Sequence, residues 1–250
     1  MKRYELSNAQ WDRIAPLLPG KAGDPGRTGS DNRLFVNACL WVLRSGAHWH
    51  DLPERYGKWK MAHKRFTRWA KAGVWERVFE DLSRDRDNLY LMLDSTLVRA
   101  HQQAAAGKGG PANQALGRSR GGLTTKIHMA TDTFGRPVRF LLAAGQSSDI
   151  LAAPALLQGF SPQAVLADRA YDASSLRQTI ANLRAEAVIP STRSRKIPIP
   201  HDARLYRHRN RIERCFNKLK HFRRFATRFD RRAAYFLAFI HLAASMIWMR

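Results

Sequence analysis

The chain has 250 residues, 44% hydrophobic and 10% aromatic, which excludes a disordered basic tail and supplies enough apolar mass for a sizeable core. Against 43 Lys and Arg stand 20 Asp and Glu, and a formal net charge of +23 repels itself unless a polyanion compensates: nucleic acid is the expected partner, an anionic membrane surface the rival. Two cysteines, Cys39 and Cys215, exclude a disulfide framework and a cysteine-rich zinc module, and the first residues lack the apolar run of a signal peptide, so the cytoplasm is the expected location.

Residues 1–84 read as a helical domain. Leu6, Trp11, Ile14 and Leu17-Leu18 share one face, with Ser7 as N-cap and Pro19-Gly20 as a stop. Lys21 to Ser30 is a loop. Asn32 to Arg44 forms a second helix, closed by Ser45-Gly46, and His50 to Pro53 is a turn. Trp59 to Lys71 is a third helix, with Met61, Phe66 and Trp69 set among Lys58, Lys60, Lys64, Arg65, Arg68 and Lys71. Gly73 breaks it, and Val74 to Leu82 forms a fourth. Short helices joined by tight turns, one of them basic, fit a helix-turn-helix-like DNA-binding unit, with Lys60, Lys64, Arg65 and Arg68 as candidate DNA contacts. A helical bundle with a solvated basic face reads the same way. Trp41, Trp49, Trp59, Trp69 and Trp75 fit the core of such a domain better than base-stacking platforms.

From residue 89 to 250 the pattern is α/β. Leu89 to Leu93 is an apolar run ending in Asp94-Ser95-Thr96. Leu123 to Ala130 and Pro137 to Ala144 are strands, and Leu151 to Leu157 is a helix. Ala164 to Ala167 is a short buried strand before Asp168, Ser174 to Arg184 a helix, and Ala187 to Ile189 a fifth strand. This succession predicts a mixed five-stranded sheet with helices on its faces. Ala233 to Met249 carries no formal charge, is short for a membrane span and holds His241, so it is expected as a core helix on the sheet.

The charge is not evenly spread. Residues 89–190 hold 10 basic and 6 acidic side chains, like an ordinary enzyme core, whereas residues 191–250 hold 16 and 3. Between Ala203 and Phe229 the single acid is Glu213, which either pairs with Arg209 or Arg214 or does chemistry. Asp94 and Asp168 follow apolar strands, where active sites of open α/β sheets collect. With Glu213 they suggest a three-carboxylate site for Mg²⁺, two ions of which serve phosphodiester chemistry. Asp172 is the better cap for the following helix, leaving Asp168 for other work.

Tyr206, Arg209, Glu213 and Lys220 fit Y-x2-R-x3-E-x6-K at all four positions. With Asp94-Ser95-Thr96-Leu97-Val98-Arg99-Ala100-His101 and Ala167-Asp168-Arg169-Ala170-Tyr171-Asp172, the pattern resembles the DDE transposases of bacterial insertion sequences, in the broad IS-four and IS-five group. Gly117 to Lys126 resembles the segment this group carries before its second strand, and Trp49 to Pro53 its N-terminal helical domain. The resemblance implies a ribonuclease-H-like catalytic domain over 89–250, with Asp94, Asp168 and Glu213 binding two Mg²⁺ (Mn²⁺ as substitute). On one helix, Tyr206, Arg209, Glu213 and Lys220 would share a face, putting a metal ligand among phosphate-binding groups. The implied function is an insertion-sequence transposase. It binds the terminal inverted repeats as double-stranded DNA, cuts at the element's ends and joins the 3′-OH groups to target DNA by direct transesterification. A homodimer in the DNA complex and no membrane association are expected.

Gly107 to Gly122, with Lys108, Arg118 and Arg120, is either a basic loop that orders on DNA or a plain hairpin loop, and Lys126 follows it. It lacks the spacing of a phosphate-binding P-loop. His48 and His50 have no cysteine pair to make a zinc site. Two rivals remain. His208, Arg211 and Tyr235 match the H-x-x-R and tyrosine nucleophile of metal-independent tyrosine recombinases. A non-catalytic helix-turn-helix regulator is the other.

Overall fold

The computed structural model describes residues 4–25, 28–29, 31–107 and 110–250. In chain order the elements are α1 (Asn8–Ile14), α2 (Asn32–Ser45), α3 (Trp59–Lys71), α4 (Val74–Leu82), β1 (Tyr90–Ala100), α5 (Gly110–Asn113), β2 (Gly117–Ser119), β3 (Gly122–Thr131) and β4 (Pro137–Ala144). There follow α6 (Asp149–Leu157), β5 (Ala164–Leu166), α7 (Ser174–Asn182), β6 (Glu186–Val188), α8 (Ala203–Tyr206), α9 (Asn210–Lys220), α10 (Arg223–Ala226) and α11 (Ala233–Trp248). Lys108 lies outside the described residues. Two compact units emerge: Met1–Arg84 with Ala100–Gly110 and Leu219–Arg250, and Asp85–Arg99 with Pro111–Lys218. The expected break between residues 84 and 89 is therefore one of several crossings, because the last 32 residues join the N-terminal helices.

The first unit is helical for local reasons. Ser7 accepts from the Gln10 N–H while Gln10 caps Ser7 in return, a capping box that starts α1. Asp31 accepts from the Leu34 N–H at the head of α2, and Gly46 ends it in the left-handed region at φ 71°. A Cβ at Gly46 would come within 2.9 Å of the Arg223 side chain, so the chain needs glycine there twice over. Phe66 stacks on Phe239 with ring centroids 4.3 Å apart, and Trp49, Trp69, Trp75 and Phe35 fill in around them.

The helix α11 departs from expectation. It packs chiefly on α4 and α3, with α2 and α10 also touching it, rather than on the sheet. A helix apolar on all sides must be covered on all sides, and surrounding helices do this. Its His241 lies parallel to the Phe79 ring, and burial pushes the imidazole pKa down to about 3, so it sits there neutral. Among the described residues no helix is long and apolar enough to cross a membrane.

The second unit carries the mixed sheet in the order β4-β3-β1-β5-β6, with the short β2 sharing the outer edge of β3. The β1, β3 and β4 strands are antiparallel, while β5 and β6 run parallel to β1. The sheet has seven strands rather than the expected five: these five keep the ribonuclease-H-like order, and the short β2 and a two-residue strand, Thr227–Arg228, are added to them. The helix α6 packs on β3, β4, α7 and the 3₁₀ turn Arg169–Tyr171. The apolar run of β1 ends at Leu93, yet the strand continues to Ala100, because β3 pairs with it as far as Arg99 opposite Thr124. Asp94 thus lies inside the strand rather than after it.

Candidate active site

The sheet register brings the first two acids level. The parallel pairing of β1 and β5 ends with Met92 opposite Leu166. Two residues further along each strand come Asp94 and Asp168, so both carboxylates stand where the two strands part. A crevice at the carboxyl ends of neighbouring parallel strands is where α/β sheets hold ligands.

Asp168 does two things. Its Oδ1 accepts from the Ala170 N–H and caps the turn Arg169–Tyr171, while its Oδ2 faces Arg209 at 3.9 Å. Asp172 does not cap α7, contrary to the sequence expectation. Ala173 holds that position, and the fully buried Asp172 carboxylate turns instead to Arg177 and Arg195, each at 2.9 Å, and to the Thr192 N–H. Two guanidiniums offer a buried carboxylate far more than one helix N–H does, and these donors hold its pKa well below the usual range despite burial.

The third acid arrives on α9. The expected single helix from Tyr206 to Lys220 is three consecutive segments: α8, the 3₁₀ turn Arg207–Arg209, and α9. Asp202 starts them, accepting from the Arg204 and Leu205 N–H groups. Arg211 fixes the head of α9 by donating to the Tyr90 hydroxyl at 2.7 Å and to the Thr133 carbonyl at 2.5 Å. The Tyr90 hydroxyl is left to donate to His208 Nδ1 at 2.6 Å. The turn between β3 and β4 comes in closely here. Gly135, at φ 77°, would put a Cβ within 2.7 Å of Arg211.

At the centre stands one guanidinium. Arg209 lies 3.5 Å from Asp94, 3.9 Å from Asp168 and 3.0 Å from Glu213. Burial opposes its charge, but a hydrogen bond with Tyr206 and the carboxylates of Asp94 and Glu213 outweigh it and raise its pKa. Burial lifts the Asp94 pKa to about 6; the Ser95 N–H and Arg209 oppose the rise, and Asp168 and Glu213 add to it. The site therefore has more negative charge than one cation relieves, and its donors are all carboxylate oxygens, the ligand set of hard divalent cations. Among the described residues no three acidic, His or Cys side chains stand close enough to hold an ion directly, and the three acids meet instead at Arg209.

The other sequence candidates scatter. Lys220 is exposed at the end of α9, and Arg118 and Arg120 are exposed on β2 and the turn after it. Lys126 is turned onto Asp149 at 3.0 Å. On α3, Lys60, Lys64 and Arg68 are exposed, whereas the Arg65 guanidinium lies over Phe35 and Trp69, 4.4 and 4.8 Å from their centroids, and bonds Asn32. His208 and Arg211, proposed for tyrosine-recombinase chemistry, are committed to Tyr90, and Tyr235 opens α11 in the other unit. Sequence reasoning gave no role to Tyr90, His128 and Asp149, and named Ser95 and Tyr171 only within the two acid motifs.

Five strands in this order, with two acids level at the parting of β1 and β5 and a third on a following helix, have the layout expected of a DDE-type nucleotidyl-transfer core. Residues 87–248, more than half of the chain, match the family described as "Transposase DDE domain", and residues 6–79 match "Putative transposase of IS4/5 family (DUF4096)". The chain belongs to the DDE transposases of IS4/5-type insertion sequences, enzymes of DNA transposition that use divalent metal. It is 43% identical over 130 residues to "Putative transposase for insertion sequence element IS6501" of Brucella ovis, covering 51% of this chain and all of that protein. It is 30% identical over 135 residues to "Putative transposase for insertion sequence element IS402" of Burkholderia cepacia, covering 49% and 62%. Among solved structures, the piggyBac transposase synaptic complex with hairpin DNA shares the fold at TM-score 0.57 and 10% identity, covering 98% of this chain and 72% of that one.

Proposed function

We propose that Asp94, Asp168 and Glu213 are the catalytic carboxylates of this transposase and that they hold two Mg²⁺, with Mn²⁺ as a substitute. The observation that carries this reading is the convergence of all three on Arg209, in a setting that lifts the Asp94 pKa to about 6. Divalent ions held there would activate the attacking oxygen and stabilise the leaving one.

The chain's own groups do the rest. Asp94 and Asp168, level on adjacent strands, fix two ligands on rigid backbone, and α9 brings Glu213 to them. With cations on the carboxylates, Arg209 would be free to grip a DNA phosphate beside the scissile bond, with Tyr206 orienting it. Lys220, Arg118 and Arg120 are exposed cations suited to the DNA backbone. Lys60, Lys64 and Arg68 give α3 a basic face for the terminal inverted repeats, so the helices of residues 1–84 act in DNA binding, while the unit of Asp85–Arg99 and Pro111–Lys218, which holds all three acids, carries the catalysis. Arg65 supports that face from below. The products are 3′-OH ends that attack the target's phosphodiesters directly, with no covalent enzyme–DNA intermediate. Cutting and joining two ends together calls for a homodimer on DNA. The substrate, cellular DNA, puts this work in the cytoplasm.

Two observations test the reading. The DNA flanking the gene should carry short terminal inverted repeats inside a short target duplication. The purified chain should nick a duplex of those ends in Mg²⁺ or Mn²⁺ and stop when the metal is chelated. Cleavage that survives chelation and is abolished by Tyr235→Phe would overturn the reading in favour of tyrosine chemistry.

A further inference from the structure

Behind the carboxylate site, on the other face of β1, is a second polar cluster that the reaction does not use. Side chains alternate along a strand, so Asp94 and Ser95 point to opposite faces. Ser95 stands opposite His128 on β3, and Lys126 lies two residues along the same face. Asp149, the first residue of α6, reaches down to all three. Its Oδ1 accepts from the Ser95 hydroxyl at 2.7 Å, lies 3.0 Å from Lys126 Nζ and stands 3.6 Å from His128 Nδ1. Lys126 also donates to the Ser147 carbonyl at 2.7 Å, which ties the start of α6 to β3.

This is a costly place for charge. The Asp149 and Lys126 side chains are 21% and 13% exposed, and His128 is wholly buried. Burial pushes the His128 pKa down to about 4, so a neutral ring faces the carboxylate and supplies no second cation. A desolvated ion pair of this kind stabilises a fold no better than a packed apolar pair, so stability does not explain it. Its placement does. Ser95, held from behind by Asp149, donates its own N–H to Asp94 Oδ1 at 2.8 Å. The same helix packs on the Arg169–Tyr171 turn that Asp168 caps, and Asp149 is a charged neighbour of the buried Tyr171 hydroxyl.

We propose that Asp149 is a positioning residue for the metal site: acting through Ser95, it fixes the backbone N–H that orients the Asp94 carboxylate. The proposal rests on the reading of Asp94 as a metal ligand. Outer partners that orient ligating carboxylates typically govern about ten- to a hundredfold in metal affinity.

The test is Mn²⁺ titration of the full-length chain, read by electron paramagnetic resonance, with thermal melting in parallel. Asp149→Asn and Ser95→Ala should each weaken Mn²⁺ binding about tenfold. Ser95→Ala should melt within a few degrees of the parent, and Ser95→Thr, which keeps the hydroxyl, should restore the affinity. Asp94→Asn should abolish binding. Wild-type affinity in Ser95→Ala, with Asp94→Asn inactive in binding, overturns the positioning role while leaving the metal site standing. Binding unaffected by Asp94→Asn overturns the underlying reading instead. If Asp149→Asn fails to fold, the Ser95 pair decides alone.

Discussion

Arg209 brings a buried Nη1 to 3.5 Å from the Asp94 carboxylate, yet that nitrogen makes no hydrogen bond among the described residues. The contact is one of charge rather than of hydrogen-bond geometry. The guanidinium holds together three acids that would otherwise repel. Arg209→Gln leaves those acids uncompensated. Without metal it should lose about 2–3 kcal/mol of stability, somewhat below the cost of stripping a fully buried pair, because Glu213 is partly exposed. Added Mn²⁺ should raise its melting temperature more than it raises that of the parent. Differential scanning fluorimetry with and without Mn²⁺ checks both; an equal shift in the two proteins would contradict this role.

Asp94 carries the opposite cost. Its pKa, lifted to about 6 from an ordinary 3.8, means the folded chain binds this proton more tightly than the unfolded chain. The native state therefore loses stability from this group as pH rises from about 4 to 6, and the full cost, about 2–3 kcal/mol, is present above pH 6. Asp94→Asn should accordingly stabilise the metal-free protein at pH 7.5, and the gain should vanish near pH 4. Urea denaturation at the two pH values measures it.

Asp172 has the reverse sign. Its depressed pKa means that its contribution is complete above the usual carboxylate range and is lost as pH falls through the lower folded value. Asp172→Ala strands Arg177 and Arg195 and should cost about 3–5 kcal/mol at pH 7, shrinking in acid. Chemical denaturation against pH shows whether it does.

Much of the fold was legible because its signals are local. The limits of α3, α4 and β4 coincide with those read from the sequence, since Gly73 breaks the chain between the two helices and Pro137 opens the strand. What depended on distant partners was not. The polar second half of β1 is a strand because β3 pairs with it, and α11 finds its cover among helices a long way off in sequence. The three acids and Arg209 were legible through motif spacing. Asp149 was not, because nothing near it in the sequence announces Ser95 and Lys126, which reach it only across the sheet. The likeness of Asp172 to a helix cap misled, since its guanidinium partners lie 5 and 23 residues away.

The central claim is that Asp94, Asp168 and Glu213 act on DNA rather than merely shaping a charged crevice. Its most direct measurement is Mg²⁺-dependent nicking of a duplex carrying the element's own terminal repeat, run beside gel-shift binding of the same duplex. The account predicts that Asp94→Asn, Asp168→Asn and Glu213→Gln each bind the duplex as the parent does and cleave it at least about a thousandfold more slowly, as removal of a reaction-only interaction requires. Cleavage at the parental rate by any one of the three would contradict it.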